Sequence, residues 1–353
     1  MLKVERYIGV SLVWCFFASL VIIVGLDIVS AIVDEMGKIR GDYTITEVIL
    51  YVSTTLPGRI YEFVPFAALI GSLISLGQFS SSSELVVLRA AGLTKGQLVW
   101  ISLKPIIFIA LLSMILGESL APISDLSAEN RRNTMLNKAG DGFGRFGVWK
   151  REGNTFVHFN TVSSSGQATG VTLFKFDEEQ SLISTLKADK AIFDSDHWTL
   201  INIKKTDFFK WETKGVLLDT LRWDTSISPR SLLLGIVDPD KLKISDLYYY
   251  VNYLSSQSLV AAPFELAFWR KLFFPISLIG LVFLGISFVF GPLREGSIGF
   301  RVFVGVMIGI TFKVSLDLLG PSSIVFGFPP ILVVLAPIVG CALLGGVLMS
   351  RFS

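Results

Sequence analysis

Two cysteines, Cys15 and Cys341, and two histidines, His158 and His197, are all the thiol and imidazole chemistry that 353 residues offer. Both cysteines fall in apolar stretches and none in the polar middle, which excludes a disulfide framework there. The histidines fall on an expected strand and in an expected turn, with no Cys or carboxylate at ligand spacing, so no metal site is expected. The G-x-x-x-x-G-K-[ST] phosphate loop, H-E-x-x-H and G-x-S-x-G are all absent, so neither a catalytic residue nor a cofactor is expected. Charge is scarce too, at 17% of residues and a net +2, with Lys and Arg scattered along the chain. That balance argues against a nucleic-acid partner.

What the chain has instead is apolar length. It is 52% hydrophobic with a mean hydropathy of +0.63, far from an ordinary soluble domain. A helical apolar run of ~20 residues matches the hydrocarbon thickness of a bilayer. Six such spans are expected, at residues 7–33, 57–79, 98–120, 266–290, 299–319 and 329–350. The first is too long for the apolar region of a cleaved signal peptide and is read as a retained span. Pro57, Pro292, Pro321 and the Pro329-Pro330 pair fall near span ends, whereas Pro65, Pro275 and Pro337 fall inside and should bend their helices.

Lys3, Arg6, Arg89, Lys95, Lys104, Arg294, Arg301 and Arg351 fall on one side if the spans alternate. The opposite loops are mixed in charge (Asp34, Glu35, Lys38, Arg40, Asp42, Glu47) or uncharged. The positive-inside rule then puts both termini in the cytoplasm and the polar middle outside, as in a bacterial inner-membrane protein with a periplasmic domain.

In that middle, from residue 143 to 223, the hydrophobic period changes to two. Gly147–Lys150, Thr155–Asn160, Val171–Phe176, Ala188–Asp194, Trp198–Lys204 and Leu217–Trp223 read as strands, with Asp194-Ser195-Asp196-His197 as a hairpin turn. Many short strands with polar turns suggest a sandwich or jelly roll. Its interior is either packed shut or open as an apolar slot. Residues 238–262 return to helical spacing through Ile244, Leu247, Tyr248, Val251 and Leu254, an amphipathic helix expected at the membrane surface. The fold expected is an α-helical membrane protein of six spans with an inserted all-β, jelly-roll-like domain. Its parts are residues 1–122, 123–240 and 241–353.

Charges inside spans are costly and usually face a cavity or a partner. Asp27, Glu62, Glu118, Lys313 and Asp317 qualify. Lys313 and Asp317, four apart, are placed to pair with each other. Lys38, Arg40 and Arg59 cluster at the outer mouth of the first two spans, either as solvated loop charges or as ligands for an anionic head group. On the opposite side, residues 81–92 read as a short helix after a serine run, closed by Gly92. It carries an apolar face (Leu85, Leu88) and a charged pair (Glu84, Arg89). Such a helix suits a groove on a soluble partner, or is simply a surface helix.

Several of these segments resemble one known family. Ser83–Gly92 (SELVVLRAAG) is similar to the coupling helix of the LptF/LptG lipopolysaccharide export permeases. Glu5-Arg6-Tyr7-Ile8-Gly9 resembles that family's D-R-Y-I-G, and Gly117-Glu118 with Ala121-Pro122 its G-E-x-x-A-P. Asp238-Pro239-Asp240 with Ile244-Ser245 and Tyr250-Val251 resembles D-P-D…I-S…Y-V. Phe290–Arg294 resembles F-G-P-L-R, and Gly327–Pro330 resembles G-x-P-P. The likeness runs the length of the chain and leans towards the G-type subunit.

The resemblance implies a permease subunit without catalysis of its own, paired with an LptF-like permease on an LptB-like ATPase dimer. It implies extraction of lipopolysaccharide from a Gram-negative inner membrane and transfer through periplasmic β domains with an LptC-like single-span protein. Glu84, Leu85, Leu88 and Arg89 would contact the ATPase. Lys38, Arg40, Arg59 and Lys313 would face lipid A phosphates. The family carries a lysine near the end of the first span where this chain has Ala31, a place that Lys38 or Lys313 would fill. The resemblance also favours an open slot in the β domain, lined by Phe156, Phe174, Phe176 and Ile201. Other readings are the F-type subunit, a lipoprotein-releasing or mechanotransmitting permease, which usually has four spans, and a membrane-embedded enzyme, for which the sequence offers no polar cluster.

Overall fold

A computed structural model describes residues 2–138, 147–162, 166–194, 196–209, 211–235, 237–257, 259–293 and 296–351. The chain divides into two units, Met1–Met135 with Ala262–Ser353, and Leu136–Ala261. The first begins with α1 (Leu2–Met36), α2 (Ile45–Thr54), α3 (Leu56–Ser81), the short α4 (Glu84–Ala90) and α5 (Lys95–Lys138). The second holds strands β1 (Val148–Glu152), β2 (Thr155–Val162), β3 (Gln167–Phe176), β4 (Leu182–Asp194), β5 (His197–Phe208) and β6 (Thr213–Asp224), then α6 (Pro229–Leu234) and α7 (Ile244–Ser256). The first unit resumes with α8 (Ala262–Leu272), α9 (Phe274–Phe290), α10 (Ile298–Phe326) and α11 (Pro330–Arg351).

Among the described residues, α1, α3, α5, α10 and α11 are each long and apolar enough to cross a membrane. The sixth expected span is a pair, α8 and α9, bent by 58°. The bend has a local cause. Pro275 lies in the first turn of α9, and its ring removes an N–H and crowds the carbonyl four residues back, so a helix breaks just before it. Pro65 and Pro337 sit inside α3 and α11. Pro321, expected near a helix end, lies inside α10, which runs on to Phe326. The third span also continues, as the polar helical stretch that ends α5 at Lys138.

The helix α3 is the centre of its unit. Its buried positions include Ala67, Ala68, Gly71, Ser72, Ser75 and Gly77, small residues that let other helices approach closely. Gly71 meets α1, where a Cβ would stand 2.7 Å from the backbone N and Cα of Phe16. Backbone cannot swing aside as a side chain can. Gly71→Ala is therefore expected to push α1 off α3 and to destabilise the helical unit by about 1–3 kcal/mol, the usual effect of overpacking. Gly9→Ala is the control, because nothing lies within 4 Å of its Cβ position. Thermal unfolding of the two variants in detergent checks this, and equal midpoints would refute it.

The six strands form one antiparallel sheet in sequence order, each expected strand being present and longer than expected. The pairings Phe159↔Val171, Val171↔Ala188, Ala188↔Ile203 and Ile203↔Leu218 form one transverse row. Val162↔Ala168, Ala168↔Ala191, Ala191↔Leu200 and Leu200↔Leu221 form another. Between the rows lie Asn160, Gly170, Asp189, Asn202 and Asp219, where the pairing lapses. Gly170 (φ 61°) and Asn202 (φ 53°) are left-handed there, a conformation that Gly and Asn adopt most easily.

Strict alternation would send one of Ala168 and Val171, or of Leu200 and Ile203, outward. Both members of each pair are buried in a single apolar cluster with Val157, Phe159 and Trp198. The alternation therefore slips by one residue at the polar row, and both halves of the sheet serve one core. Ile227 and Leu232 close that core, and Trp198 Nε1 donates to the Ile227 carbonyl at 2.7 Å. The buried face of α7 is Leu247, Tyr250 and Leu254. Lys150 Nζ of β1 donates to Tyr250 Oη at 2.7 Å. Burial pushes the Tyr250 hydroxyl up to about 12, with Tyr253 adding to the effect, and holds the Lys150 amine below its usual range.

Candidate functional site: ion pairs at one end of the helices and a short exposed helix

Several of the charged residues singled out in the spans and their loops come together in pairs. Arg59 of α3 donates to Asp27 of α1 at 2.5 Å, with its Nε on Thr55 Oγ1 at 3.1 Å. Lys313 of α10 donates to Glu62 of α3 at 2.5 Å. The expected Lys313–Asp317 pair is not what forms. Asp317 lies 3.7 Å from Arg270 of α8, whose Nη2 also donates to the Leu316 carbonyl. A cation left bare at membrane depth is costly, and a partner on a neighbouring helix both neutralises it and fixes the crossing.

Beyond the end of α1 the arrangement is denser. Glu35 is only 5% exposed. It accepts from Lys38 Nζ at 2.6 Å, Tyr43 Oη at 2.9 Å and Arg132 Nε at 2.9 Å. The Arg132 guanidinium also lies over the Tyr51 ring, 5.4 Å from its centroid. Arg131 holds Glu47 of α2 with two bonds of 2.8 Å. Burial, and then the Glu35 carboxylate, push the Tyr43 hydroxyl up to about 12. Of the four expected phosphate ligands, Lys38, Arg59 and Lys313 are thus in ion pairs with carboxylates. Arg40 is exposed and forms no ion pair among the described residues. Arg131 and Arg132 escaped the sequence reading because the third span was ended at residue 120. The Arg-Arg doublet after a helical apolar run was the available signal.

The short helix forms where expected, but its faces are divided differently. Leu85 is buried in the helical unit's core and Leu88 packs against it. The outward apolar residues are Val86 and Val87, 48% and 66% exposed, with Arg89 beside them. Ser82 Oγ donates to Glu84 at 2.9 Å. The serine run does not supply the cap foreseen: Ser83 makes no side-chain cap bond and is itself left-handed at φ 61°. Gly92, at φ 95°, follows the helix end.

In the β unit, Phe156 and Phe174 are cross-strand partners on the face opposite Val157 and Leu173. Trp149 stacks on Phe174 at 5.8 Å, and Phe156 meets Phe176 edge-on at 5.5 Å. Ile201 is paired with Lys190, beside the buried pair Leu200 and Ala191. The four residues expected to face inward therefore sit on the outer face. The predicted alternation is real; only its sense is reversed, because Val157, Phe159, Val171 and Leu173 fill the core.

A family model described as lipopolysaccharide export system permease LptF/LptG matches residues 6–351. The chain belongs to the LptF/LptG family. Lipopolysaccharide export system permease protein LptG of Haemophilus influenzae is 33% identical to it over 338 residues, 94% of each chain. The protein of that name from Escherichia coli K12 is 33% identical over 337 residues, again 94% of each. The match spans both units.

Proposed function

We propose that this chain is the G-type membrane subunit of an ATP-driven lipopolysaccharide exporter in a Gram-negative inner membrane. The observation that carries the reading is the 33% identity to two LptG proteins over 94% of the chain. In this reading both termini face the cytoplasm and the β unit faces the periplasm, as the distribution of Lys and Arg favours. The chain hydrolyses nothing itself. Its α4 docks on an LptB-like ATPase dimer through Glu84, Val86, Val87 and Arg89, with Leu85 and Leu88 anchoring the helix to the bundle. An LptF-like permease forms the other half of the transport path, and an LptC-like protein receives the lipid.

Lipid A offers phosphates and acyl chains. The ion pairs at the mouth suit the phosphates: Arg59, Lys38 and Lys313 are held in place by carboxylates that a phosphate replaces, and Arg40 is open. For the acyl chains, the aromatic outer face of the β unit, with Trp149, Phe156, Phe174 and Phe176, is the apolar surface accessible without rearrangement. Exposed aromatic clusters of this sort mark binding surfaces.

Co-purification tests the whole reading. The chain expressed with an F-type permease and its cognate ATPase is expected to give a stable complex that retains lipopolysaccharide by mass spectrometry and hydrolyses ATP, whereas the chain alone does not. A chain that purifies without these partners and carries no lipopolysaccharide would overturn it.

A further inference from the structure

A groove of about 500 Å³ runs along the outside of α1, far from the ion pairs described above. It is lined by Arg6, Gly9, Val10, Val13, Trp14 and Phe17 of α1 and by Pro105 of α5. One residue of the seven is charged, and it lies at one end. From Arg6 to Phe17 the helix rises roughly 16 Å, about half of a ~30 Å hydrocarbon core. The groove thus matches the depth of one leaflet, on the side of the chain's N-terminus. Gly9 forms an open floor, with nothing within 4 Å of its Cβ position.

Arg6 is exposed and makes no hydrogen bond or ion pair among the described residues. Its neighbour Lys104 is engaged, donating to Glu5 at 2.9 Å. A guanidinium beside an apolar trough of single-leaflet length is complementary to one kind of molecule, a lipid with an anionic head and an extended chain. Guanidinium binds phosphodiester oxygens in a two-pronged fashion. We propose that this groove binds an anionic glycerophospholipid, its phosphate on Arg6 and one acyl chain along Gly9, Val13 and Phe17. The inference requires only that α1 crosses a bilayer, and it stands apart from the export reading.

The test uses the full chain in nanodiscs of phosphatidylcholine containing a minor fraction of phosphatidylglycerol, followed by native mass spectrometry. Wild type is expected to retain phosphatidylglycerol in excess of its share in the nanodisc. Arg6→Gln is expected to lose that preference and retain the two lipids in proportion. Gly9→Leu, whose added side chain starts from a Cβ position with nothing within 4 Å and fills the trough, is expected to lose the retained lipid while keeping the wild-type unfolding temperature. Three results would overturn the proposal: proportional retention by wild type, undiminished phosphatidylglycerol on either variant, and displacement of phosphatidylglycerol by added lipopolysaccharide.

Discussion

Val87→Glu is expected to leave this chain folded and to separate it from its ATPase. Val87 is 66% exposed on a two-turn helix whose inner side, Leu85, is buried in the helical core. In the isolated chain a carboxylate at this position points to solvent. Its one intramolecular penalty is repulsion from Glu84 three residues back, about 0.2–0.5 kcal/mol. In a docked complex the same carboxylate is removed from water without a partner, which costs about 3–5 kcal/mol and weakens association by roughly a hundred- to several-thousandfold. Leu85→Ala should behave in the opposite way. It removes a buried side chain, costs about 2–5 kcal/mol of stability and lowers the unfolding temperature before any partner is added. Pull-down of the ATPase with thermal unfolding of each variant separates the two effects. A Val87→Glu complex that assembles and exports normally would remove α4 as the docking element.

The division of labour within α4 shows where a single sequence stops being legible. That a short helix lies within residues 81–92 was readable, because the serines and Gly92 bracket an apolar run. Which of the two apolar pairs faces the bundle was not, since a seven-residue helix has too few turns to show a periodic stripe. The same limit applies in the β unit. Strand positions were legible from alternation, but the slip at Asn160, Gly170, Asp189, Asn202 and Asp219 reverses the sense of alternation partway along β2 to β6. Within Val171–Phe176 both faces carry apolar residues, so alternation alone does not say that Val171 and Leu173 fill the core while Phe174 and Phe176 face outward. The ion pairs were half legible. Composition marked Asp27, Glu62, Lys313 and Asp317 as costly charges in need of partners. Only the helix crossings decide that Lys313 takes Glu62, 251 positions away, in place of Asp317 on its own helix. The long apolar segments were the most legible feature, because bilayer thickness constrains length irrespective of packing.

The Arg59–Asp27 pair supplies the sharpest test of how the mouth handles phosphate. Both side chains are partly open, at 21% and 23% exposure, so a ligand can reach them without unpacking α1 from α3. A phosphate must take Arg59 from the carboxylate, and the carboxylate must recapture it for the lipid to leave. Asp27→Asn weakens the competitor while keeping an acceptor for Arg59. It is expected to bind lipopolysaccharide more tightly and to export it more slowly. Arg59→Gln removes the ligand and should weaken binding. A charge-assisted hydrogen bond contributes about 1.5–3 kcal/mol, so each change should shift Kd by roughly ten- to a hundredfold, in opposite directions. The double variant joins two neutral amides, which can still bond across the helices. It should fold like wild type and bind like Arg59→Gln alone, since without the guanidinium the identity of residue 27 no longer matters. Binding to the purified chain, measured alongside unfolding temperature, distinguishes this from a purely structural pair. A structural pair would lose stability in both single variants and leave Kd where it was, and that pattern would exclude Arg59 as a phosphate ligand.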